Sequence, residues 1–213
     1  AEDYIKTYIR SNTIQKYVEL VRNAKSRLTI PVIASVNCFS GGEWISFASQ
    51  LEEAGADALE LNVFILPVNE FRESAEVENV YFEIVKSIKS QIKIPVSVKI
   101  SHYFTNLSAF VDKIKSYGAN ATTLFNRFYE PDININTLEM GAASVFSTAA
   151  ELRTTLRWTG ILAGKDKKLE ISASTGVHGG EAAVKLLLAG ATTVQVCSVL
   201  YEKGIHVIED INN

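Results

Sequence analysis

Clustered positive charge is missing from this chain. Its 213 residues carry 21 Lys and Arg against 24 Asp and Glu, a formal charge of −3, with no basic block. A nucleic-acid surface needs Lys and Arg gathered on one face to meet phosphates, so that class of partner is not expected. Long apolar runs are also missing: none approaches the roughly 18 residues of a membrane helix, and the opening AEDYIKTYIRSNT has no apolar signal core. A cytoplasmic protein with no membrane partner is expected. Cysteine is scarce. Cys38 and Cys197 have no metal-ligand spacing between them, and a reduced protein is the simple reading, a Cys38–Cys197 disulfide the other. The histidines form no metal cluster and show no Ser-His-Asp order. His102 falls in a loop past Lys99, His178 beside a Gly turn and His206 on the last helix. No GxGxxG follows the first strand, which argues against a dinucleotide-binding open sheet.

What remains is the material of a globular core. Hydrophobic residues make up 47% of the chain and charged residues 21%, enough for one large domain. Short β-rich runs alternate with longer helical ones. Helical periodicity covers 13–28, with Ile14, Tyr17, Val18 and Val21 on one face. Strands are expected at 32–36, 58–63, 96–100, 121–125, 170–174 and 193–197. Helices are expected from Gly41 to Gly55 and over 79–91, 107–117, 149–163 and 180–189, with a last one from about 199. The stretch 126–146, with Pro131 and several Asn, reads as a long connection. Trp44 and Trp158 read as packing residues, and Lys165 to Lys168 as a solvated turn.

Several helices stop at a Gly just before the next strand, in AGAD, YGAN and AGAT. Glycine there supplies a left-handed C-terminal cap, and a short loop then feeds the sheet. Strands alternating with single helices imply an α/β fold with a parallel sheet buried on both faces. Six strands do not close a barrel, which needs eight. The economical reading is a (β/α)8 TIM barrel lacking its first two strands, with 1–213 one N-terminally incomplete barrel domain. A doubly wound open sheet is the alternative.

In a barrel, chemistry sits at the carboxyl ends of strands. Those positions read Asn37-Cys38, Asn62, Lys99, Asn126, Ser174-Thr175-Gly176 and Cys197-Ser198. Each Asn has a bland use, capping its own loop. Lys99 lies among core-like neighbours, and a buried lysine is costly unless it meets an anion or a polar ring. Glu60 on the neighbouring strand is its structural alternative. The segment 170–204 places small residues before helix N-termini at two consecutive strand ends, a cradle of backbone N–H groups for one phosphate.

Four pieces in this order, ELN at 60–62, PVSVKIS at 95–101, LFN at 124–126 and STGVHGGEAAVKLLLAGATTVQVCSVLYEKG at 174–204, resemble the dihydroorotate dehydrogenase family, FMN-dependent (β/α)8 barrels. Phe146-Ser147-Thr148 with the helix after it resembles that family's Leu-Ser-Gly turn. The resemblance runs from about Ile30 to Gly204 and suggests a divergent branch. It implies an FMN-binding oxidoreductase of pyrimidine biosynthesis, taking dihydroorotate to orotate. Asn37 and Asn62 would meet the flavin ring region, Asn62 and Asn126 the substrate. Lys99 would stabilise the anionic reduced ring, and Phe125 would offer backbone to the flavin. Ser147 and Thr148 would line the ribityl chain. Thr175, Gly176, Cys197 and Ser198 would hold the phosphate. A small-molecule substrate and pairing into a homodimer follow from the same resemblance.

Two departures stand out. Where the family has a Cys or Ser base in a polar loop, this chain has Val63-Phe64-Ile65-Leu66-Pro67-Val68-Asn69. Ile or Leu cannot take a proton. The double-glycine phosphate turn is here Thr175-Gly176. A homologue that binds FMN without this reaction, and a flavin-free barrel enzyme with a phosphorylated substrate, are the alternatives.

Overall fold

The computed structural model describes the backbone of residues 2–37, 41–128 and 130–213, and the side chains of 13–37, 44–128 and 130–213. Cys38 lies outside the described residues, so the disulfide alternative is not addressed. Cys197 is an exposed free thiol. The backbone divides into two compact units. One comprises Ala1–Val98 and Ala109–Ala121, the other Lys99–Ser108 and Thr122–Asn213.

The first unit holds helix α1 (Glu2–Arg27), strand β1 (Ile33–Val36), α2 (Gly41–Glu53), β2 (Ala58–Asn62), α3 (Ser74–Lys89), the start of β3 (Val96–Ile100) and most of α4 (Leu107–Ser116). Strands β1 and β2 are parallel, Ile33 facing Ala58 and Val36 facing Leu61. The N–H of Leu59 donates to Pro95 O at 2.9 Å, bringing in β3 on the other side of β2. Strand β2 is buried along its middle, as a strand covered on both faces should be. Strand β1 departs from that expectation, because Ile33 and Ser35 are exposed. The Tyr17 hydroxyl of α1 covers its backbone instead, donating to Ser35 O at 2.9 Å and accepting from Ser35 N at 3.1 Å. Burial, with the Glu60 carboxylate adding to it, pushes the Tyr17 phenol up.

An aromatic cluster carries this unit's helical layer. Tyr81 and Phe82 of α3 meet Phe110 of α4 at 5.2 and 5.5 Å between ring centres. Phe82 also stacks on Tyr117, and Lys113 Nζ sits 4.5 Å over the Phe82 ring. Burying side chains of this size contributes about 1.5–3 kcal/mol each.

The second unit holds the end of β3, then β4 (Ala121–Leu124), β5 (Pro131–Asn134), β6 (Glu139–Ala142), a 3-10 turn (Ala149–Glu151), α5 (Leu152–Lys165), β7 (Glu170–Ala173), α6 (Gly180–Leu188), β8 (Thr193–Val194), α7 (Ser198–Lys203) and α8 (Val207–Asn212). Its sheet order is β3-β4-β7-β8. Asn126 N donates to Ile100 O, Phe125 N to Ser174 O, and Gln195 N to Ala173 O. Ala173, Val177, Ala183, Leu186 and Ala191 form its core, against which Leu152, Leu156 and Val196 pack.

Glycines 55, 118 and 190 have φ of 94°, 110° and 107°, the left-handed caps expected before the next strands. Lys165 closes α5, and Lys167 and Lys168 after it are exposed, as a solvated turn requires. Buried Trp44 and half-buried Trp158 pack as expected. Three outcomes differ from the sequence expectations. Helix α3 starts at Ser74 rather than 79, because Glu73 and Glu76 form a capping box ahead of the apolar stripe. Strand β8 stops at Val194, and the chain turns at Cys197 (φ −140°, ψ −66°). The connection 126–146 contains the antiparallel hairpin β5–β6, with Pro131 facing Ala142. Every residue of both its strands is exposed, so burial left no periodic trace in the sequence.

Candidate functional site

Asn37 and Asn62 belong to the first unit. Asn37 follows β1 and is exposed, whereas Asn62 ends β2 and is half-buried. Just beyond Asn62 the loop is apolar. Phe64, Leu66 and Val68 are exposed there, and Asn69 turns its Oδ1 onto the N–H of Phe71 at 3.0 Å. The Tyr81 hydroxyl reaches Val63 O from below at 3.5 Å. Its burial pushes that phenol up to about 12, against an opposing hydrogen bond from the Ile65 backbone.

The remaining candidate residues lie in the second unit. Half-buried Lys99 reaches across it, its Nζ donating to Gln195 Oε1 at 3.1 Å. Strands β3 and β8 are three places apart in the sheet order. A flat sheet would separate them by roughly 14 Å, since neighbouring strands lie about 4.8 Å apart. One lysine side chain spans the gap because this part of the sheet is curled, with Lys99 on the concave side. Within the first unit, Ser35 Oγ donates to the buried Glu60 carboxylate at 2.8 Å.

At the end of β4 the backbone is fully engaged. The Leu124–Phe125 peptide is cis. Phe125 O accepts the Thr175 hydroxyl at 3.0 Å. Asn126 is half-buried and lines a cavity of about 140 Å³ with His102, Tyr103, Phe125, Thr155 and Thr175. The Thr175 hydroxyl, which the sequence left available to a phosphate, is thus turned onto Phe125. Both Thr175 and Gly176 have positive φ, 80° and 81°. A Cβ on Gly176 would meet Leu152 N at 2.2 Å and Leu152 Cα at 2.7 Å. Bare backbone is required there, and its N–H faces Ser147 Oγ at 3.5 Å.

Ser147 is the centre of a polar cluster in the second unit. Its N–H and its hydroxyl both donate to Ser198 Oγ, at 2.9 and 3.0 Å, and Gly176 N donates to Ser147 Oγ at 3.5 Å. Residues 147, 176 and 198, from three separate stretches of sequence, thereby meet at one point. Thr148 is exposed and instead caps the 3-10 turn, its N–H donating to Glu151 Oε1 at 2.6 Å. Cys197 is exposed beside Ser198.

Two contributors escaped the sequence reading. Arg127 follows Asn126 and clamps this region. Its Nε donates to Glu151 Oε2 at 3.1 Å and its Nη1 to the carbonyls of Ser144 and Val145 at 2.8 and 3.0 Å. The Thr148-x-x-Glu151 spacing was the available signal for half of that clamp. The other is His178, whose Nε2 lies 3.3 Å from Ser147 Oγ. A lone histidine offers no spacing signal. Among the described residues no cluster of His, Cys, Asp and Glu could hold a metal ion, and no helix is long and apolar enough to cross a membrane.

A parallel β/α chain with a lysine inside a curled sheet has the architecture of part of a barrel. Residues 10–213 match the family model described as dihydroorotate dehydrogenase, and the chain belongs to that family. It is 29% identical to the dihydroorotate dehydrogenase B (NAD(+)) catalytic subunit of Thermoplasma acidophilum over 93% of this chain and 66% of the relative. For the corresponding subunit of Thermoplasma volcanium the figures are 27%, 90% and 64%. The chain therefore spans about 60–66% of the length of such relatives. A dihydroorotate dehydrogenase from Eimeria tenella, solved with ferulenol, superposes with a TM-score of 0.68 at 14% identity, covering 93% of this chain and 61% of that one. That likeness concerns the fold: an α/β chain forming part of a TIM barrel.

Proposed function

We propose that this protein is an FMN-binding oxidoreductase of the dihydroorotate dehydrogenase type. The observation that carries the reading is the pairing, within one compact unit, of Lys99 on the concave face with the Ser147–Gly176–Ser198 cradle. Gly176 lets the turn after β7 pack directly on the Leu152 backbone, which brings its N–H beside Ser147. Within the second unit, Ser147, Thr148, Thr175, Gly176, Cys197 and Ser198 would serve the phosphate and ribityl end, with Lys99 and Phe125 serving the ring end. Asn126 would meet the substrate. When bound, FMN supplies a two-electron acceptor. The task of Lys99 is to place a fixed cation where negative charge develops. Exposed, unpaired Cys197 suits a reducing, cytoplasmic setting.

The loop after Asn62 favours a second reading, an FMN-binding homologue that does not oxidise dihydroorotate. Val63 through Val68 contain no side chain that accepts a proton, and Asn69 is committed to its own turn. A flavin-free enzyme acting on a phosphorylated substrate would use the same cradle but gives Lys99 no role. Mixing the FMN-loaded protein anaerobically with dihydroorotate separates the first two. Bleaching of the visible absorbance supports oxidation of dihydroorotate. A spectrum that dithionite bleaches and dihydroorotate does not leaves the second.

A further inference from the structure

The resemblance gives His178 no role, yet its ring sits against the cradle. Nε2 lies 3.3 Å from Ser147 Oγ and Nδ1 3.5 Å from Glu202 Oε2, with the His178 side chain 19% exposed. His178 is two residues past Gly176, on the loop that leads from β7 into α6. We propose that His178 is a phosphate-recognition residue, held by Glu202 and acting with Ser147, Ser198 and the Gly176 N–H on a phosphomonoester. This deepens the flavin reading and rests on it for the identity of the ligand.

Donor arithmetic supports the assignment. Glu202 Oε2 lies 3.5 Å from Nδ1, which orients the ring and leaves Nε2 facing Ser147. Ser198 Oγ already accepts the N–H and the hydroxyl of Ser147. Its own proton is therefore free to point to an incoming anion, because a hydroxyl carries one donor beside its lone pairs. A phosphate oxygen entering beside Gly176 N would take the Ser198 hydroxyl proton and, in the ring tautomer that carries its proton there, the Nε2–H. Hydrogen bonds to a charged acceptor such as phosphate are about twice as strong as neutral ones.

The order Ser147, His178, Glu202 also matches a nucleophile, base and acid set. The hydrogen bonds oppose that use. The Ser147 proton is directed to Ser198 Oγ, and Gly176 N donates to Ser147 Oγ itself rather than to a reacting oxygen.

The test is calorimetric titration of the wild-type chain, His178→Ala, His178→Gln and Glu202→Gln with FMN, riboflavin and inorganic phosphate. His178→Ala is expected to weaken FMN about tenfold to a hundredfold, the usual size for losing a hydrogen bond to a charged group. Riboflavin, which lacks the phosphate, should bind within about twofold of wild type. His178→Gln, keeping an N–H donor, should recover part of the loss, and Glu202→Gln should lose less than His178→Ala. FMN affinity unchanged in His178→Ala overturns the assignment while leaving the flavin reading intact. Equal losses for FMN and riboflavin overturn it as well, since they mark a structural role. Wild-type protein that ignores both flavins but binds phosphate in a His178-dependent way sinks the flavin reading and upholds His178. Wild-type protein that binds none of the three overturns both.

Discussion

Replacing Gly176 by alanine probes the turn after β7 and the backbone packed on it. The residue has φ of 81° and is buried. An L-residue in the left-handed region costs about 1–2 kcal/mol. The new Cβ would fall 2.2 Å from Leu152 N, 2.7 Å from Leu152 Cα and 2.9 Å from Glu151 C. All three are backbone atoms at the junction of the 3-10 turn and α5, so no rotamer change relieves the clash. Forcing an extra carbon into such a contact typically costs a further 1–3 kcal/mol or so. Gly176→Ala should therefore lose about 2–5 kcal/mol in urea unfolding, read as a lower midpoint at unchanged slope. Relief by moving Leu152 would drag Glu151, and with it the Thr148 cap and the Arg127 contact. Phosphate affinity should fall together with stability. A variant within about 0.5 kcal/mol of wild type would refute the claim that bare backbone is needed at this position.

Arg127→Ala removes the bonds to Glu151, Ser144 and Val145, each charge-assisted, and hydrogen exchange at residues 144–148 should speed up by tenfold or more. Arg127→Lys should rescue little, because an ammonium cannot span the fork; full rescue would show that charge alone matters. Tyr81 predicts an alkaline limb of stability. Its pKa is raised from 10.0 to about 12 by burial, so the folded form holds the proton longer than the unfolded one. That contribution is complete below pH 10 and lost as the pH rises towards 12. Tyr81→Phe should flatten this limb in thermal unfolding, and an unchanged limb would assign it elsewhere. Lys99→Ala should lower the potential of bound flavin by about 30 mV or more, roughly 1.4 kcal/mol for two electrons, with the fold intact. An unaltered potential would remove Lys99 from the ring end.

The sequence carried the α/β order well because two signals agreed, apolar runs of strand length and a Gly before three of the six returns to the sheet. Strand β3 falls where its VSVKI pattern put it, since alternate residues there are buried. The hairpin β5–β6 stayed hidden because Ile133, Ile135, Leu138 and Met140 are all exposed, and apolar residues without a buried face imitate a connection. At the site, the glycine turn and Lys99 were legible from residue type alone. Their partners were not. Gln195 lies 96 residues from Lys99, and Ser198 lies 51 from Ser147. Such pairs exist only once the sheet has curled, and no local pattern encodes them. His178 carries no local signal for the same reason, as its contacts are with Ser147 and Glu202.

The most direct test of the flavin site is the visible spectrum of the purified full-length protein before and after incubation with FMN. The site described here predicts a yellow protein, or a colourless one that retains about one FMN per chain through gel filtration. Protein that stays colourless and retains none would contradict it.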